Sequence, residues 1–260
     1  MLYPEHNKII GIVGGMGPHA GLALFNSILL QTKAKCDQEH LSTILMSFPR
    51  QIIDRTSFLE CESIINPAFS IVKIIKRLED AGAEVIGIAC NTSHVPKIYE
   101  VIEEQLERIN SHVKLLNMLE ETCRYIIDNY PQAHRIGMLT TNGTYKSGVY
   151  RCLLEKLEFE VIVPDPRFQN LIIHRMIYDR EFGLKSNAHP ISDKVRLLWE
   201  KALLFFEEQG ADTIILGCTE LSLIGYEKFY NNMLIVDSTH SLARALIREA
   251  TAPSGSSASA

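Results

Sequence analysis

The sequence predicts an α/β protein made of two similar halves, each built around a mostly parallel sheet. Three observations support this prediction. Short apolar segments alternate along the 260 residues with longer amphipathic segments, as expected for parallel strands joined by helical crossovers. Glycine or polar residues follow the ends of several apolar segments. Two sequence blocks of the first half are repeated in the same order in the second half.

In the first half, apolar segments predict four strands: Lys8–Val13, Leu41–Phe48, Glu84–Ala89 and Val113–Leu116. The segments between these strands predict three helices: Ala20–Thr32, Asn66–Ala81 and Val95–Asn110. The helix Asn66–Ala81 shows helical periodicity most clearly, because its apolar residues share one helical face. These residues are Phe69, Val72, Ile75 and Leu78. The first half is therefore predicted to be a series of strand-helix-strand units.

The second half repeats this alternation. Its predicted strands are Arg135–Thr140, Glu160–Val163 and Thr213–Leu216, and its predicted helices are Glu120–Tyr130, Gly148–Leu157 and Asp193–Gln209. A last strand, Leu234–Val236, and a closing helix, Ser241–Glu249, are predicted to return to the first half. The last ten residues, 251–260, are rich in Ser and Ala and are predicted to form a disordered tail.

An internal duplication relates the two halves. Residues 81–92 have the sequence AGAEVIGIACNT, and residues 209–220 have the sequence QGADTIILGCTE. A second pair of blocks, around Gly11 and Gly137, is 126 residues apart, close to the 128 residues between Cys90 and Cys218. We therefore expect two flavodoxin-like or Rossmann-like domains related by pseudo-symmetry, with the active site in the cleft between them. The expected domains are residues 1–119 with 230–250, and residues 120–229.

Composition narrows the classes of function. The net charge is −5 and no run of Lys or Arg occurs, so nucleic-acid binding is not expected. No apolar run reaches the ~18 residues of a membrane span, and the first residues do not resemble a signal peptide. The six cysteines have no metal-binding spacing, so we expect free thiols and no metal. A cytoplasmic protein is the expectation.

Two of the cysteines are candidates for catalysis. Cys90 and Cys218 each follow a predicted strand, and ligands of parallel sheets bind beyond the carboxyl ends of strands. If the halves face each other, the two thiols approach one cleft from opposite sides. Because the ordinary pKa of a thiol is about 8.5, one can act as base and the other as acid near neutral pH. This arrangement can invert a stereocentre without pyridoxal phosphate, metal or nucleotide.

The glycine-rich turn offers a competing interpretation. Residues 15–20 fit the dinucleotide-binding pattern GxGxxA after a strand. The second predicted strand, however, ends in Met46-Ser47-Phe48-Pro49, without the acidic residue that would hold a ribose. Nucleotide binding is therefore not expected.

Several motifs together resemble the cofactor-independent aspartate/glutamate racemase superfamily, most closely its aspartate racemase branch. The motifs are GGMGPHA at 14–20, DRT at 54–56, CNT at 90–92 with His94, Thr140-Thr141, Ile177-Tyr178 followed by Gly183-Leu184-Lys185, GCTEL at 217–221 and DST at 237–239. The resemblance covers about residues 7–250. It implies that Cys90 and Cys218 are the catalytic acids and bases, and that the enzyme is a homodimer.

The resemblance also implies roles for other residues. Arg55 and Lys185 would hold the carboxylates of a dicarboxylic substrate, and His94 and Glu220 would orient groups and tune the thiols. The remaining implied substrate-binding residues are Met16, Asn91, Thr92, Thr141 and Thr219. The expected reaction is the interconversion of L- and D-aspartate, with glutamate as a further substrate and no cofactor.

Two alternatives stay open. A relative with the same pair of cysteines could racemise hydantoins or isomerise maleate, with one cysteine attacking carbon as a nucleophile. A protein that kept the cleft and lost turnover could simply bind amino acids. The paired cysteines argue against the second alternative, since binding alone needs no thiols.

Overall fold

The computed structural model describes residues 7–61, 64–225 and 227–253. Within them, the strands are β1 (Ile10–Gly14), β2 (Thr43–Ser47), β3 (Val85–Ile88), β4 (Lys114–Leu116), β5 (Arg135–Thr140), β6 (Glu160–Ile162), β7 (Thr213–Gly217), β8 (Phe229–Tyr230) and β9 (Met233–Asp237). Most of the predicted disordered tail, residues 254–260, lies outside the described residues.

The helices in the same residues are α1 (Pro18–Gln31), α2 (Arg55–Glu60), α3 (Ala68–Asp80), α4 (Pro96–Arg108), α5 (Met118–Asn129), α6 (Asn142–Ser147), α7 (Val149–Lys156), α8 (Pro166–Phe168), α9 (Arg175–Tyr178), α10 (Asp193–Glu208) and α11 (Ser238–Ala250). None of the helices in the described ranges is long and apolar enough to cross a membrane.

The first sheet has the strand order β2-β1-β3-β4, and its neighbouring strands are parallel. β1 and β3 are buried along their whole length, which explains their continuous apolar sequences. The chain crosses from β1 to β2 on one side and then to β3 on the other. The carboxyl ends of β1 and β3 therefore flank the switch point of this sheet, where ligands of such sheets bind.

The second sheet repeats this plan with the order β6-β5-β7-β9-β8. Its strands are parallel except β8, which is antiparallel to β9. β5 and β7 flank the switch point and correspond to β1 and β3. The predicted α/β fold with two related parallel-sheet units is confirmed.

The C-terminal segment is divided between the two sheets. The sequence-based prediction assigned residues 230–250 to the first domain, whereas β9 pairs with β7 in the second sheet. The domain boundaries themselves stay a prediction. The helix α11 instead packs on the first unit: Leu242 and Leu246 lie against β3, and a Cβ on Gly87 would be 3.0 Å from Leu246. Apolar residues of β9 and of α11 thus pack into different hydrophobic cores.

A helical segment between β6 and α10 was not predicted. It consists of α8, a π-helical turn (Gln169–His174) and α9. Asp165 caps its start by accepting hydrogen bonds from the backbone N–H groups of Arg167 and Phe168. The π turn changes the number of residues per turn, so apolar residues do not recur with the 3.6-residue period by which helices are found.

Candidate active site

The carboxyl ends of the inner strands of both sheets meet. Thr92, after β3, and Thr141, after β5, have hydroxyl oxygens 3.0 Å apart. On the other side of the site, the backbone N–H of Gly17, after β1, donates to Oε1 of Glu220, after β7, at 3.0 Å. Residues from distant parts of the chain therefore meet in one site: two of its contacting pairs are separated by 169 and 203 positions in the sequence.

Cys90 lies at the end of β3 beside a buried cation. Cys90 is 5% exposed, and the guanidinium of Arg55 is close enough to interact electrostatically with its sulfur. Burial lowers the pKa of Arg55, but the neighbouring Cys90, Tyr178 and Asp54 outweigh burial and hold this pKa above its ordinary value. The positive charge of Arg55 therefore lies close to the sulfur of Cys90.

Arg55 is the first residue of α2 and is itself 5% exposed. Its Nη2 donates to the carbonyl oxygen of Met16 at 2.8 Å, and its Nη1 donates to that of Ile53 at 3.3 Å. Its Nε is buried without a hydrogen-bond partner. A buried guanidinium held by backbone carbonyls keeps donors that a carboxylate could use.

Cys218 lies at the end of β7 beside a carboxylate. Its Sγ donates to Oε2 of Glu220 at 3.0 Å. Burial raises the pKa of Cys218 well above its ordinary value, and the charge of Glu220 raises it further, against the opposing effect of Lys185. Burial also raises the pKa of Glu220, but Lys185 and hydrogen bonds outweigh burial and lower it to about 2. Glu220 is therefore ionised while Cys218 carries its proton.

Lys185 reaches the site from the turn that follows α9. Its Nζ donates to Oε1 of Glu220 at 2.7 Å and lies 3.4 Å from the carbonyl oxygen of Met16. Since Arg55 contacts the same oxygen, one cation from each half converges on a single backbone carbonyl. This convergence places two positive charges where a carboxylate group could be held.

The predicted threonines do not all have the same surroundings. Thr92, Thr141 and Thr144 form a buried group whose hydroxyl oxygens are 3.0 to 3.3 Å apart. Thr219 instead lies beside Cys218 and Glu220, with its Oγ1 3.4 Å from Oε2 of Glu220. The first group can offer several hydroxyls to one ligand.

Asn91 and His94 hold structure together around Cys90. Nδ2 of Asn91 donates to Oγ of Ser238 at 2.9 Å, and its Oδ1 accepts from the hydroxyl of Tyr150 at 2.7 Å. Nδ1 of His94 lies 2.9 Å from the backbone oxygen of Cys90. Burial lowers the pKa of His94 to about 4, so the ring is neutral near pH 7. These hydrogen bonds go to neighbours other than the Cys90 sulfur, and the partners of Asn91 lie on α7 and α11.

The comparison with protein families decides the assignment. The model of the Asp/Glu/hydantoin racemase family matches residues 13–246. The chain belongs to this family. Aspartate racemase of Picrophilus torridus superposes on this racemase-family protein with a TM-score of 0.76, is 30% identical and covers 94% of both chains.

Two further relatives show the range of the family. The broad specificity amino-acid racemase RacX of Bacillus subtilis is 27% identical over 92% of this chain and 96% of its own length. Glutamate racemase of Pseudomonas aeruginosa is 28% identical over 66% of this chain and 59% of its own length. The family assignment therefore supports an amino-acid racemase.

Three contact residues of this racemase-family protein were assigned no role from the sequence, although Ser238 lies in the DST motif. Tyr150 and Ser238 fix the Asn91 side chain, and Thr144 completes the threonine group. Ser238 could have been found, because it follows the end of a predicted strand. Tyr150 gives no local signal, since it is a buried residue of an ordinary amphipathic helix.

Proposed function

We propose that the protein interconverts the L- and D-enantiomers of an amino acid, aspartate first, with Cys90 and Cys218 as its two acid/base groups and no cofactor. The observation that carries this proposal is the placement of two thiols at the ends of equivalent strands, with one cation of each half near the site. Arg55 lies next to Cys90, and the charge of Lys185 lowers the pKa of Cys218 against the opposing effect of Glu220. The likeness to the Picrophilus torridus enzyme supports aspartate as the first substrate to test.

The surroundings of the two thiols suit one direction of proton transfer. Burial and the charge of Glu220 raise the pKa of Cys218, so this thiol carries its proton, whereas Cys90 lies beside the guanidinium of Arg55. The Cys90 thiolate would take the α-proton, leaving the bonding electron pair on Cα and the adjoining carboxylate. Cys218 would deliver its proton to the opposite face and become the thiolate. The product has inverted configuration, and the two sulfurs have exchanged protonation states.

The cations would lower the barrier to removing the α-proton. A carboxylate bound by Arg55 would replace the carbonyl of Met16 and let negative charge spread from Cα onto its oxygens. Lys185 would hold the second carboxylate of aspartate on the other side of the same carbonyl. The threonine group around Thr92 would bind the amino group or the remaining carboxylate oxygen.

Closure would protect the thiolate. The side chains of Cys90 and Cys218 are 5% and 4% exposed, so a substrate reaches them only when the two halves separate. Closing again around the substrate would exclude water and strengthen the electrostatic interactions inside the site. The homodimer and the cytoplasmic location stay predictions.

One observation favours a second candidate. RacX of Bacillus subtilis aligns over nearly the full length of both chains, and its name describes a broad specificity. Because Glu220 already neutralises Lys185, an amino acid with one carboxylate could occupy Arg55 alone. Broad-specificity racemisation is therefore the alternative to a preference for aspartate.

Chiral chromatography tests the proposal. The reduced protein is incubated separately with L-aspartate, L-glutamate and a set of neutral L-amino acids, and the D-enantiomers are quantified. We expect D-aspartate to form fastest. Similar rates with neutral amino acids would favour broad specificity, and the absence of every D-enantiomer would contradict racemase activity.

A further inference from the structure

Tyr178 contacts the elements that carry both cations of the site. It is the last residue of α9, in the helical segment that the sequence did not predict. Its hydroxyl donates to Oδ2 of Asp54 at 2.8 Å and lies 3.3 Å from Oγ1 of Thr56. Its ring lies 5.2 Å from Nζ of Lys185. One side chain of the second half therefore meets α2 of the first half and the Lys185 ammonium.

On the first half, Asp54 links Tyr178 to Arg55. Asp54 is the N-cap of α2, and its Oδ1 accepts from the backbone N–H of Ser57 at 2.8 Å. Its other oxygen, Oδ2, accepts from Tyr178, so the two hydrogen bonds do not compete. Arg55 is the next residue, and its direction depends on where this cap fixes the start of the helix.

On the second half, Lys185 is fixed to the helix that ends in Tyr178. The backbone N–H of Lys185 donates to the carbonyl of Ile177 at 3.0 Å, and that of Leu184 donates to Met176 at 3.1 Å. The turn approaches α9 so closely that a Cβ on Gly183 would lie 2.5 Å from the backbone nitrogen of Asp179. Backbone contacts therefore fix the position of Lys185 relative to Tyr178.

The protonation states of Asp54 and Tyr178 fix the direction of their hydrogen bond, with the phenol as donor and the carboxylate as acceptor. Burial raises the pKa of Asp54, but the Ser57 N–H, the charge of Arg55 and the Tyr178 hydroxyl outweigh burial and lower it. Burial raises the pKa of Tyr178 above its ordinary value, so the phenol keeps its proton. A neutral phenol thus donates to a carboxylate across the cleft, and hydrogen bonds to charged groups are among the stronger ones in proteins.

We propose that Tyr178 is a positioning residue that sets Arg55 and Lys185 in register for binding carboxylates, by donating to the Asp54 cap while its ring supports the Lys185 ammonium. The role follows from the proposed racemase function. Tyr178 contributes to binding and to closure, whereas proton transfer at Cα belongs to the two cysteines. Loss of its hydroxyl therefore affects substrate affinity more than the rate of the bound complex.

The test compares Tyr178→Phe with Tyr145→Phe. Both phenols lie in the second half and donate one strong hydrogen bond, but the hydroxyl of Tyr145 donates to the carbonyl of Pro164 within that half. The assays are racemisation of aspartate and calorimetric binding of succinate, a dicarboxylate without an amino group. We expect Tyr178→Phe to raise KM and the succinate Kd about tenfold, with kcat within about threefold of wild type. Tyr145→Phe should leave all three constants unchanged.

A second variant covers the case in which Tyr178→Phe does not fold. Asp54→Asn keeps an oxygen for the Ser57 cap but removes the charge that Tyr178 contacts, and it should raise the same KM and Kd. In the double variant the two increases should not multiply, because both changes remove one interaction. Folded variants with unchanged KM and succinate Kd would overturn the role of Tyr178.

The two assays separate this proposal from the racemase function. If the wild type does not racemise aspartate but binds succinate, the racemase assignment for aspartate fails while the role of Tyr178 is still decided by the succinate Kd. A wild type that binds neither succinate nor aspartate would overturn the role of Tyr178 as well.

Discussion

The two thiols occupy equivalent positions in the repeated halves, yet the charges beside them have opposite signs. Cys90 lies beside the guanidinium of Arg55, whereas Cys218 donates to the carboxylate of Glu220, which Lys185 in turn neutralises. The duplication thus supplies matching positions, and the residues after each strand give each sulfur a different charge beside it. Burial and Glu220 keep Cys218 protonated, which suits it to act as the acid in the proposed reaction.

Removing either sulfur should have the largest effect. Cys90→Ala and Cys218→Ala each leave one face of Cα without a group to transfer a proton, so racemisation should fall by about 10³-fold or more. Chiral chromatography measures the rate. Cys123→Ala is the matched control, because Cys123 is also a buried free thiol but belongs to α5 and packs in a hydrophobic core. Either catalytic variant with near wild-type turnover would remove that cysteine from the mechanism.

Removing the charge of Glu220 should make the electrostatic surroundings of the two thiols more alike. Its charge raises the pKa of Cys218, whereas Lys185 lowers it, so Glu220→Gln should lower this pKa. Thiolate absorbance in the ultraviolet, followed against pH, should then show Cys218 ionising at lower pH than in wild type. We expect racemisation to fall by about 10²-fold, because the resting acid is lost.

Lys185→Met is the opposing variant for the same measurement. It removes the cation that lowers the pKa of Cys218, so Cys218 should ionise at higher pH than in wild type. Shifts of the two variants in the same direction would contradict the electrostatic account of this half-site.

Acid should destabilise the two half-sites in different pH ranges. The pKa of His94, beside Cys90, is lowered from 6.5 to about 4, and that of Glu220 is lowered from 4.5 to about 2. A group whose pKa is lower in the folded protein stabilises it above the unfolded pKa, and this contribution is lost as pH falls to the folded pKa. His94 should therefore cost stability between pH 6.5 and 4, and Glu220 between pH 4.5 and 2.

Denaturant unfolding across this pH range separates the two contributions. His94→Asn keeps a donor toward the Cys90 carbonyl and should abolish the loss in the upper range, at most roughly 3 kcal/mol. Glu220→Gln should flatten only the lower range. A wild-type profile that is level down to pH 4 would show that His94 does not titrate as its burial requires.

The smallest effect should come from the exposed contact between the halves. Nζ of Lys146, on α6, lies 2.6 Å from Oε1 of Glu60, on α2, with side chains 59% and 45% exposed. Solvent screens such a pair, so Lys146→Ala should change the free energy of unfolding by no more than about 0.5 kcal/mol. Racemisation should be nearly unchanged. A loss as large as that of Tyr178→Phe would mean that surface charges, rather than buried contacts, hold the halves closed.

Much of the fold could be predicted from the sequence because strands and helices alternate with clear periods. The duplication also predicted which strands are equivalent. The placement of β9 could not be predicted, since Leu234–Val236 would satisfy either sheet and only the packing of the whole chain selects one. The helical segment ending in Tyr178 was missed because its π turn interrupts the apolar period.

The residues of the site likewise differ in whether a local sequence pattern reveals them. Cys90, Cys218 and the threonines after the strands could be predicted, because strand ends of parallel sheets meet at one edge. The partners that set their chemistry could not all be predicted. Tyr150 reaches Asn91 across 59 residues and Tyr178 reaches Asp54 across 124, and no local pattern encodes such contacts.

The most direct test of the two-thiol account is racemisation of L-aspartate in D2O, sampled at low conversion. Proton NMR follows the α-proton of the remaining L-aspartate, and mass spectrometry measures deuterium in the D-aspartate formed. With a separate thiol on each face, the D-product should carry solvent deuterium while the unreacted L-aspartate keeps its proton. Early deuterium in the unreacted L-aspartate would show that a single base serves both faces, and that result would contradict the account.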